Sequence, residues 1–324
     1  MAQTETRHRN IREDDNNHEY QGKTRIRRGN KNKKNRKYLN IWYNNINGII
    51  SKKISLQVLL TTDQPHIVIL TETKTNQLPP ITGYRWIAQS KPNKAGGVAI
   101  AAREDIAHNV SETEAEKEEG MELIWVTMKT NNMKVYIAAY YGKQEAEKRE
   151  IVENEYSTLT TNIIRHQNKG PVIIIGDFNA KLKVDNQGTT IQEESNNGKL
   201  LQQMMDNTGL KPVSTKPNIG LWTRVNRNKT EEKSIIDYII TERTIARNIE
   251  YMEIDDKGIR RPSGLHETDH NTITMKIKIP SKKEKREITR WNIKETTNWE
   301  KYNEILQNKT TPENYEQLQD NIKK

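Results

Sequence analysis

The chain is 324 residues long, with 53 Lys and Arg against 43 Asp and Glu and no cysteine. That length suits one large domain or two ordinary ones with tails. The lack of cysteine excludes a disulfide framework, a thiolate metal site and a cysteine nucleophile. No run approaches the roughly 20 apolar residues of a membrane span, and the Arg- and Asn-rich N-terminus lacks a signal peptide's apolar core. The chain therefore reads as soluble and intracellular, with no membrane partner.

The charge is uneven. Residues 1–37 carry twelve Lys/Arg and five Asp/Glu, residues 280–324 carry ten and eight, and the stretch between them is almost neutral, with 31 and 30. Within residues 22–37 the bases include Arg25, Arg27, Arg28, Lys31, Lys33, Lys34, Arg36 and Lys37, with no acid among them. Such a block cannot bury apolar area and is expected to be disordered. It reads as a phosphate-backbone anchor or nuclear import signal, or as a merely solubilising tail.

In chain order, residues 38–45 alternate apolar and polar positions and read as a first strand. Residues 49–60 carry apolar side chains at 50, 54, 58 and 59, which is helical spacing, and Asp63-Gln64-Pro65 breaks the helix. Residues 66–70 (HIVIL) form a short strand of the kind buried between layers. Residues 83–88, 97–101, 123–128 and 134–141 read as strands, with 111–120 an acidic exposed loop. Val152, Tyr156, Leu159 and Ile163 give residues 145–166 one apolar helical face. Residues 172–175 (VIII) form a second buried strand, which Gly176 closes with a sharp turn. A helix over 198–207, with Gly209 past its end, and strands over 221–225, 234–241 and 272–279 complete the body. Two short helices are expected at 298–306 and 312–322. The pattern predicts one α/β domain over residues 38–280, a two-layered β-sandwich flanked by helices.

Polar residues cluster at the strand ends, where a site is to be sought. Asp177 stands just past a dry strand, and a carboxylate so placed is either paired or working. Asn179 can project to the same side and offers an amide donor. An Asx-turn explains the same pair equally well. Glu72 leaves the other buried strand, and with Asp269 it suits a hard cation such as Mg²⁺, which takes one or two carboxylates and keeps its waters. His270 can act as general base or, protonated, as an electrostatic clamp. Asp237 can orient that imidazole, or it is a solvated charge on an outer strand face. The motifs of nucleotide-binding loops and serine hydrolases are missing.

Taken in order, N-x-N-G (45–48), T-E-T-K (71–74), A-Y-Y (139–141), I-G-D-F-N (175–179), W-T (222–223), I-D-Y (236–238) and T-D-H (268–270) resemble the endonuclease/exonuclease/phosphatase superfamily. The resemblance spans residues 38–280 and implies the sandwich fold and a Mg²⁺-dependent phosphodiesterase, with Mn²⁺ as substitute. By position it implies that Asn45, Tyr140 and Asn179 contact the scissile phosphate, with Thr223 nearby and Trp222 walling the pocket. It makes Glu72 and Asp269 metal ligands, Asp177 the residue that orients or deprotonates water, and Asp237 and His270 an orienting pair. Asn47 resembles retrotransposon endonucleases more than repair enzymes, which carry Asp there. Lys143 puts a cation where many relatives have a phosphate-contacting Asn.

Residues 289–292 and 298–302 resemble the segment joining endonuclease to reverse transcriptase in non-LTR retrotransposon polyproteins. The expected activity is thus a DNA endonuclease that nicks one strand to leave a 3′-hydroxyl for target-primed reverse transcription. The expected partners are double-stranded DNA and a reverse transcriptase domain or retrotransposon RNA, and the expected compartment is the nucleus. An apurinic repair endonuclease, a lipid or inositol phosphatase and an inactive nucleic-acid-binding relic are the rivals.

Overall fold

A computed structural model describes residues 38–89, 96–130, 133–186, 189–213 and 220–278. The basic segment 1–37 and the expected helices at 298–306 and 312–322 lie outside these residues.

The chain enters β1 (Tyr38–Asn45), passes through a 3-10 turn (Ile50–Lys52) into α1 (Lys53–Asp63), and continues with β2 (Ile67–Thr71), β3 (Tyr84–Gln89) and β4 (Val98–Arg103). After α2 (Glu104–Ala107) come β5 (Val110–Thr113), β6 (Glu122–Lys129), β7 (Lys134–Tyr141), α3 (Arg149–Gln167) and β8 (Val172–Asp177). A hairpin of β9 (Val184–Asn186) and β10 (Thr189–Gln192) precedes α4 (Asn196–Thr208) and β11 (Lys211–Pro212). A second hairpin, β12 (Arg224–Val225) and β13 (Lys233–Ser234), leads to β14 (Asp237–Thr241), α5 (Arg243–Ala246), β15 (Ile249–Ile254) and β16 (Ile273–Lys278).

Two six-stranded sheets result, in the orders β15-β16-β1-β2-β4-β3 and β11-β14-β8-β7-β6-β5. They pack face to face as the expected sandwich, and strand parity explains how. In the run VIII, Ile173 and Ile175 point into the core between the sheets, together with Ile41, Tyr43, Ile69 and Ile137. Val172 and Ile174 point the other way, under Val152, Tyr156, Leu159 and Ile163 of α3 and Leu201 and Met204 of α4. A third core seats α1 on the first sheet through Ile46, Ile49, Leu56 and Leu60 against Trp42, Val68 and Leu70. Strands apolar on both faces are the signature of layers covered on both sides.

Several expectations are corrected. The helix after β1 is present, but it buries Leu56 and Leu60, leaving Ile50, Ile54 and Val58 at 59%, 80% and 59% exposure. The 4-residue spacing was real, but the anchors Ile46 and Ile49 in the preceding loop fix the opposite rotation. Gly176 makes no turn: it lies within β8, and a Cβ there would sit 1.8 Å from the Tyr140 carbonyl oxygen of the neighbouring strand. The acidic loop yields its first residues to β5, the strand at 221–225 shrinks to β12, and the one at 234–241 divides into β13 and β14. Helix α4 ends as expected, with Gly209 at φ +69°. The α1 correction is directly testable. Leu56→Ala should cost about 2–5 kcal/mol of unfolding free energy, and Ile54→Ala under about 0.5. Equal losses in denaturant titrations would restore the original face.

Candidate active site

The inter-sheet core becomes polar at one end. On the second sheet, Tyr141, Asp177 and Asp237 are direct register partners across β7, β8 and β14. On the first, Asn45 pairs with Thr71 at the ends of β1 and β2. Parity turns all five side chains toward the gap, continuing the rows that hold Ile41, Ile69, Ile175 and Ile239. The loops following these ends hold Asn47, Glu72, Lys74 and Asn179 at φ between +46° and +51°. Four non-glycine residues in this disfavoured region, gathered at one place, mark backbone held by its surroundings.

Asp237 is buried, so the solvated-charge alternative is excluded. Its carboxylate accepts from the Tyr43 hydroxyl at 2.5 Å and faces His270 Nδ1 at 2.8 Å. The other imidazole nitrogen, Nε2, lies 3.7 Å from both Asp177 Oδ2 and Asp269 Oδ1, beyond hydrogen-bond range. Burial alone would depress the His270 pKa, but the Asp237 and Asp177 charges overturn it and lift the value to about 9. His270 is thus an imidazolium at neutral pH, with Nδ1–H donating to Asp237 and, among the described residues, no hydrogen-bond partner at Nε2. Burial, then Asp237, pushes Asp177 above the usual carboxylate range, while His270 opposes that rise.

Asp177 does both things the residue pattern allowed. One carboxylate oxygen accepts the Asn179 backbone N–H at 2.9 Å, an Asx-type turn, and the other accepts Asn45 Nδ2 at 3.0 Å. The same Asn45 amide donates to Glu72 Oε1 at 2.9 Å, bridging the two carboxylates. Burial would raise the Glu72 pKa, but the donors Asn45, Lys74 and Tyr141 outweigh it and hold the carboxyl below its usual value. Asn179 Nδ2 donates to the Gly142 carbonyl at 2.8 Å, and among the described residues its second amide hydrogen has no partner.

Four of the expected site residues have partners of their own in the structure. Tyr140 points away from the site: it is fully buried under α3, donating to Glu155 at 2.6 Å and packed against Phe178. Its neighbour Tyr141 faces the gap and donates to Glu72 Oε1 at 2.9 Å. Thr223 is also buried, its hydroxyl accepting the Ile236 and Asp237 backbone N–H groups, so it seats the start of β14. Trp222 packs against the core beneath the helices, and Lys143 donates to the Gly120 carbonyl near Glu155. The pattern also missed Tyr43, Lys74 and Arg224. Tyr43 and Tyr141 were recoverable from parity, since each shares a face with its strand's inward residues.

The Asp177, Asp237 and His270 atoms lie within 4.8 Å of one another, close enough to hold a metal ion. Asp237 there already accepts from Tyr43 and faces His270 Nδ1. Glu72 Oε2 and Asn47 Oδ1, which meet at Lys74 Nζ, are oxygen donors of the kind a hard cation takes, and Asp269 offers a further carboxylate beside His270. Each already faces a cation. Lys74 Nζ lies 2.7 Å from Glu72 Oε2 and 2.6 Å from Asn47 Oδ1, and Arg224 Nε lies 2.7 Å from Asp269 Oδ2.

Residues 135–274 match the family model described as "Endonuclease-reverse transcriptase". No curated protein matches the chain by sequence. Among solved structures, a 3'-5' exonuclease (NExo) from Neisseria meningitidis superposes with TM-score 0.58 at 19% identity, over 74% of this chain and 100% of that one. AP endonuclease LMAP from Leishmania major gives 0.61 at 11%, over 75% and 89%. The endonuclease domain of TRAS1, a telomere-specific non-LTR retrotransposon, gives 0.53 at 16%, over 75% and 100%. These likenesses show a shared fold, and the family model matches the part of the chain that carries β7, β8, β14 and His270.

The buried ion pair sets a pH dependence. The His270 pKa is raised on folding, so its contribution to stability is complete below about 6.5 and is lost as pH rises through about 9. Asp177, also raised, adds a loss in the same direction at lower pH. Wild-type stability should therefore fall by up to about 3 kcal/mol between pH 6.5 and 9.5. In Asp237→Asn, where burial dominates, the imidazole NMR titration should move below its wild-type position. An unmoved His270 titration would refute the pairing.

Proposed function

We propose that the chain is a Mg²⁺-dependent endonuclease of the non-LTR retrotransposon type, nicking one DNA strand to leave a 3′-hydroxyl primer. The observation that carries this reading is the convergence of Asp177 and the Asp237–His270 pair, bridged by Asn45 to Glu72, at one end of the inter-sheet core. The donor inventory assigns the roles. Both Asn45 amide hydrogens are committed, so Asn45 orients Asp177 and Glu72 and does not itself grip the phosphate. The His270 Nε2 proton and the second Asn179 amide hydrogen, without partners among the described residues, are left to meet phosphoryl oxygens as negative charge develops on them. Asp177 is buried and raised, which suits it to take a proton from the attacking water.

Glu72, Asn47 and Asp269 would hold the divalent cation, which when bound polarises a phosphoryl oxygen as a Lewis acid. Lys74 keeps positive charge at that spot in its absence.

Support for DNA as substrate comes from a neighbour of similar fold, the 3' phosphatase NExo from Neisseria, whose structure is bound to a product DNA hairpin. Support for the retrotransposon type comes from the matching family model, the TRAS1 likeness and Asn47 in place of Asp. A reverse transcriptase domain or element RNA is the partner this reading implies, and the basic segment 1–37 suits both nuclear import and backbone-dominated binding. Nick placement would then follow groove shape and the β12–β13 hairpin.

Supercoiled plasmid should be nicked with Mg²⁺ and left intact with chelator, with no large preference for an abasic duplex. Rapid abasic cleavage beside an intact plasmid would make it a repair enzyme of the AP endonuclease kind. Asp177→Asn should slow nicking at least ~10²-fold while keeping the fold. Removing residues 1–37 should weaken DNA binding and flatten its salt dependence.

A further inference from the structure

We propose that Arg224 gates Asp269, so that a divalent cation and a DNA phosphate bind this site with positive coupling. The inference rests on reading the site as a phosphodiesterase centre. The backbone already brings the two residues together: Val225 N–H donates to the Asp269 carbonyl at 2.8 Å, and Arg224 bridges to His270. On the side-chain level, Arg224 Nε donates to Asp269 Oδ2 at 2.7 Å, with the two side chains 42% and 29% exposed. Asp269 Oδ1 in turn lies 3.7 Å from His270 Nε2, so the carboxylate under the guanidinium borders the proposed reaction centre. A second arginine of the same hairpin, Arg227, donates to the Thr268 carbonyl at 2.7 Å and lies 3.6 Å from Glu267. The hairpin thus grips residues 267–269 through two guanidinium groups.

Arg224 uses only Nε in this contact. Among the described residues, no hydrogen bond reaches its two terminal nitrogens. A guanidinium is built to take a phosphate through two such N–H groups at once, and a phosphate diester is a better partner for it than a single rim carboxylate. A divalent cation, conversely, prefers the carboxylate free of a competing positive charge. With no phosphate present, guanidinium and metal compete for Asp269. When a backbone phosphate draws Arg224 onto itself, Asp269 is released to the metal. Linkage makes this reciprocal, so bound metal also favours DNA.

The test uses the full chain and Mn²⁺ as probe, with affinity read by water-proton relaxation and calorimetry, alone and with a short phosphorothioate duplex that resists hydrolysis. Wild type should bind Mn²⁺ weakly alone and ~10-fold tighter with duplex, within the usual range of coupling. Arg224→Gln should bind Mn²⁺ ~10-fold tighter alone, with little further gain from duplex. Asp269→Asn should abolish both gains. Arg224→Lys keeps the charge but not the fork, and should fall between wild type and Gln. This second variant serves if Gln disturbs the hairpin, which circular dichroism would reveal.

Unchanged Mn²⁺ affinity in Arg224→Gln, or an unchanged duplex effect, would mean that the metal sits on Asp269 beside the arginine without contest. Either result, or no Mn²⁺ binding by any variant, overturns the gate. Mg²⁺-dependent plasmid nicking by wild type is scored separately. Nicking without coupling removes the gate and keeps the nuclease, and coupling without nicking does the reverse.

Discussion

The register of three strand ends governs this site. Tyr141, Asp177 and Asp237 are consecutive partners across β7, β8 and β14, and all face the gap between the sheets. A shift of one residue in any of these strands would turn its side chain to the other face and put a glycine, isoleucine or aromatic residue in its place. The apolar rows of Ile137, Ile173, Ile175 and Ile239 hold the register, because slipping them would empty the inter-sheet core. Packing energy gained far from the chemistry therefore positions the carboxylates. Gly176 belongs to the same constraint: it lets β8 lie against the Tyr140 carbonyl, which any side chain would push away.

Burial then decides the charge states. Asp237 and His270 lie in dry surroundings, where an isolated charge is costly and a satisfied pair is tolerated. Tyr43 and Thr71 complete the arrangement from the opposite sheet: the Tyr43 hydroxyl lies 3.2 Å from Thr71 Oγ1 while donating to Asp237. Two sheets that touch mainly through aliphatic side chains are thus also joined by a polar contact at the working end. The same Asp237 carboxylate orients the imidazole through Nδ1, so that Nε2 faces the corner shared by Asp177 and Asp269.

Much of this was legible in the sequence, and the failures have physical causes. Buried runs such as HIVIL and VIII announced the central strands because both their faces are covered. The order of strand-end polar residues pointed to the site. The rotation of α1 was misread because periodicity reports a stripe without saying which way it faces, and Ile46 and Ile49 outweighed Ile50 and Ile54. Strand β15 was missed because only Met252 and Ile254 of IEYMEI are buried, which gives too little alternation. Tyr140 was preferred to Tyr141 from a positional match, where the parity of β7 would have separated them. Thr223 proved to be a backbone acceptor, a use of threonine that leaves no trace in composition.

The contacts that stayed invisible are those that join distant segments through charge. Lys74 lies beside Glu72 in sequence, but its bond to Asn47 depends on two left-handed turns meeting. Arg224 and Asp269 are 45 residues apart, and nothing in either neighbourhood signals the pair. These two cations change the meaning of the acidic residues they cover. A sequence reading counts Glu72 and Asp269 as bare carboxylates awaiting a metal, whereas the folded chain presents each already neutralised. A polyanionic substrate approaching such a site meets exposed lysine and arginine first, not carboxylates that would repel it. In a body whose overall charge is close to balanced, Glu72 and Asp269 are thus each covered by one of the chain's own cations, and the acidic face that the sequence suggests is not the face the folded chain presents.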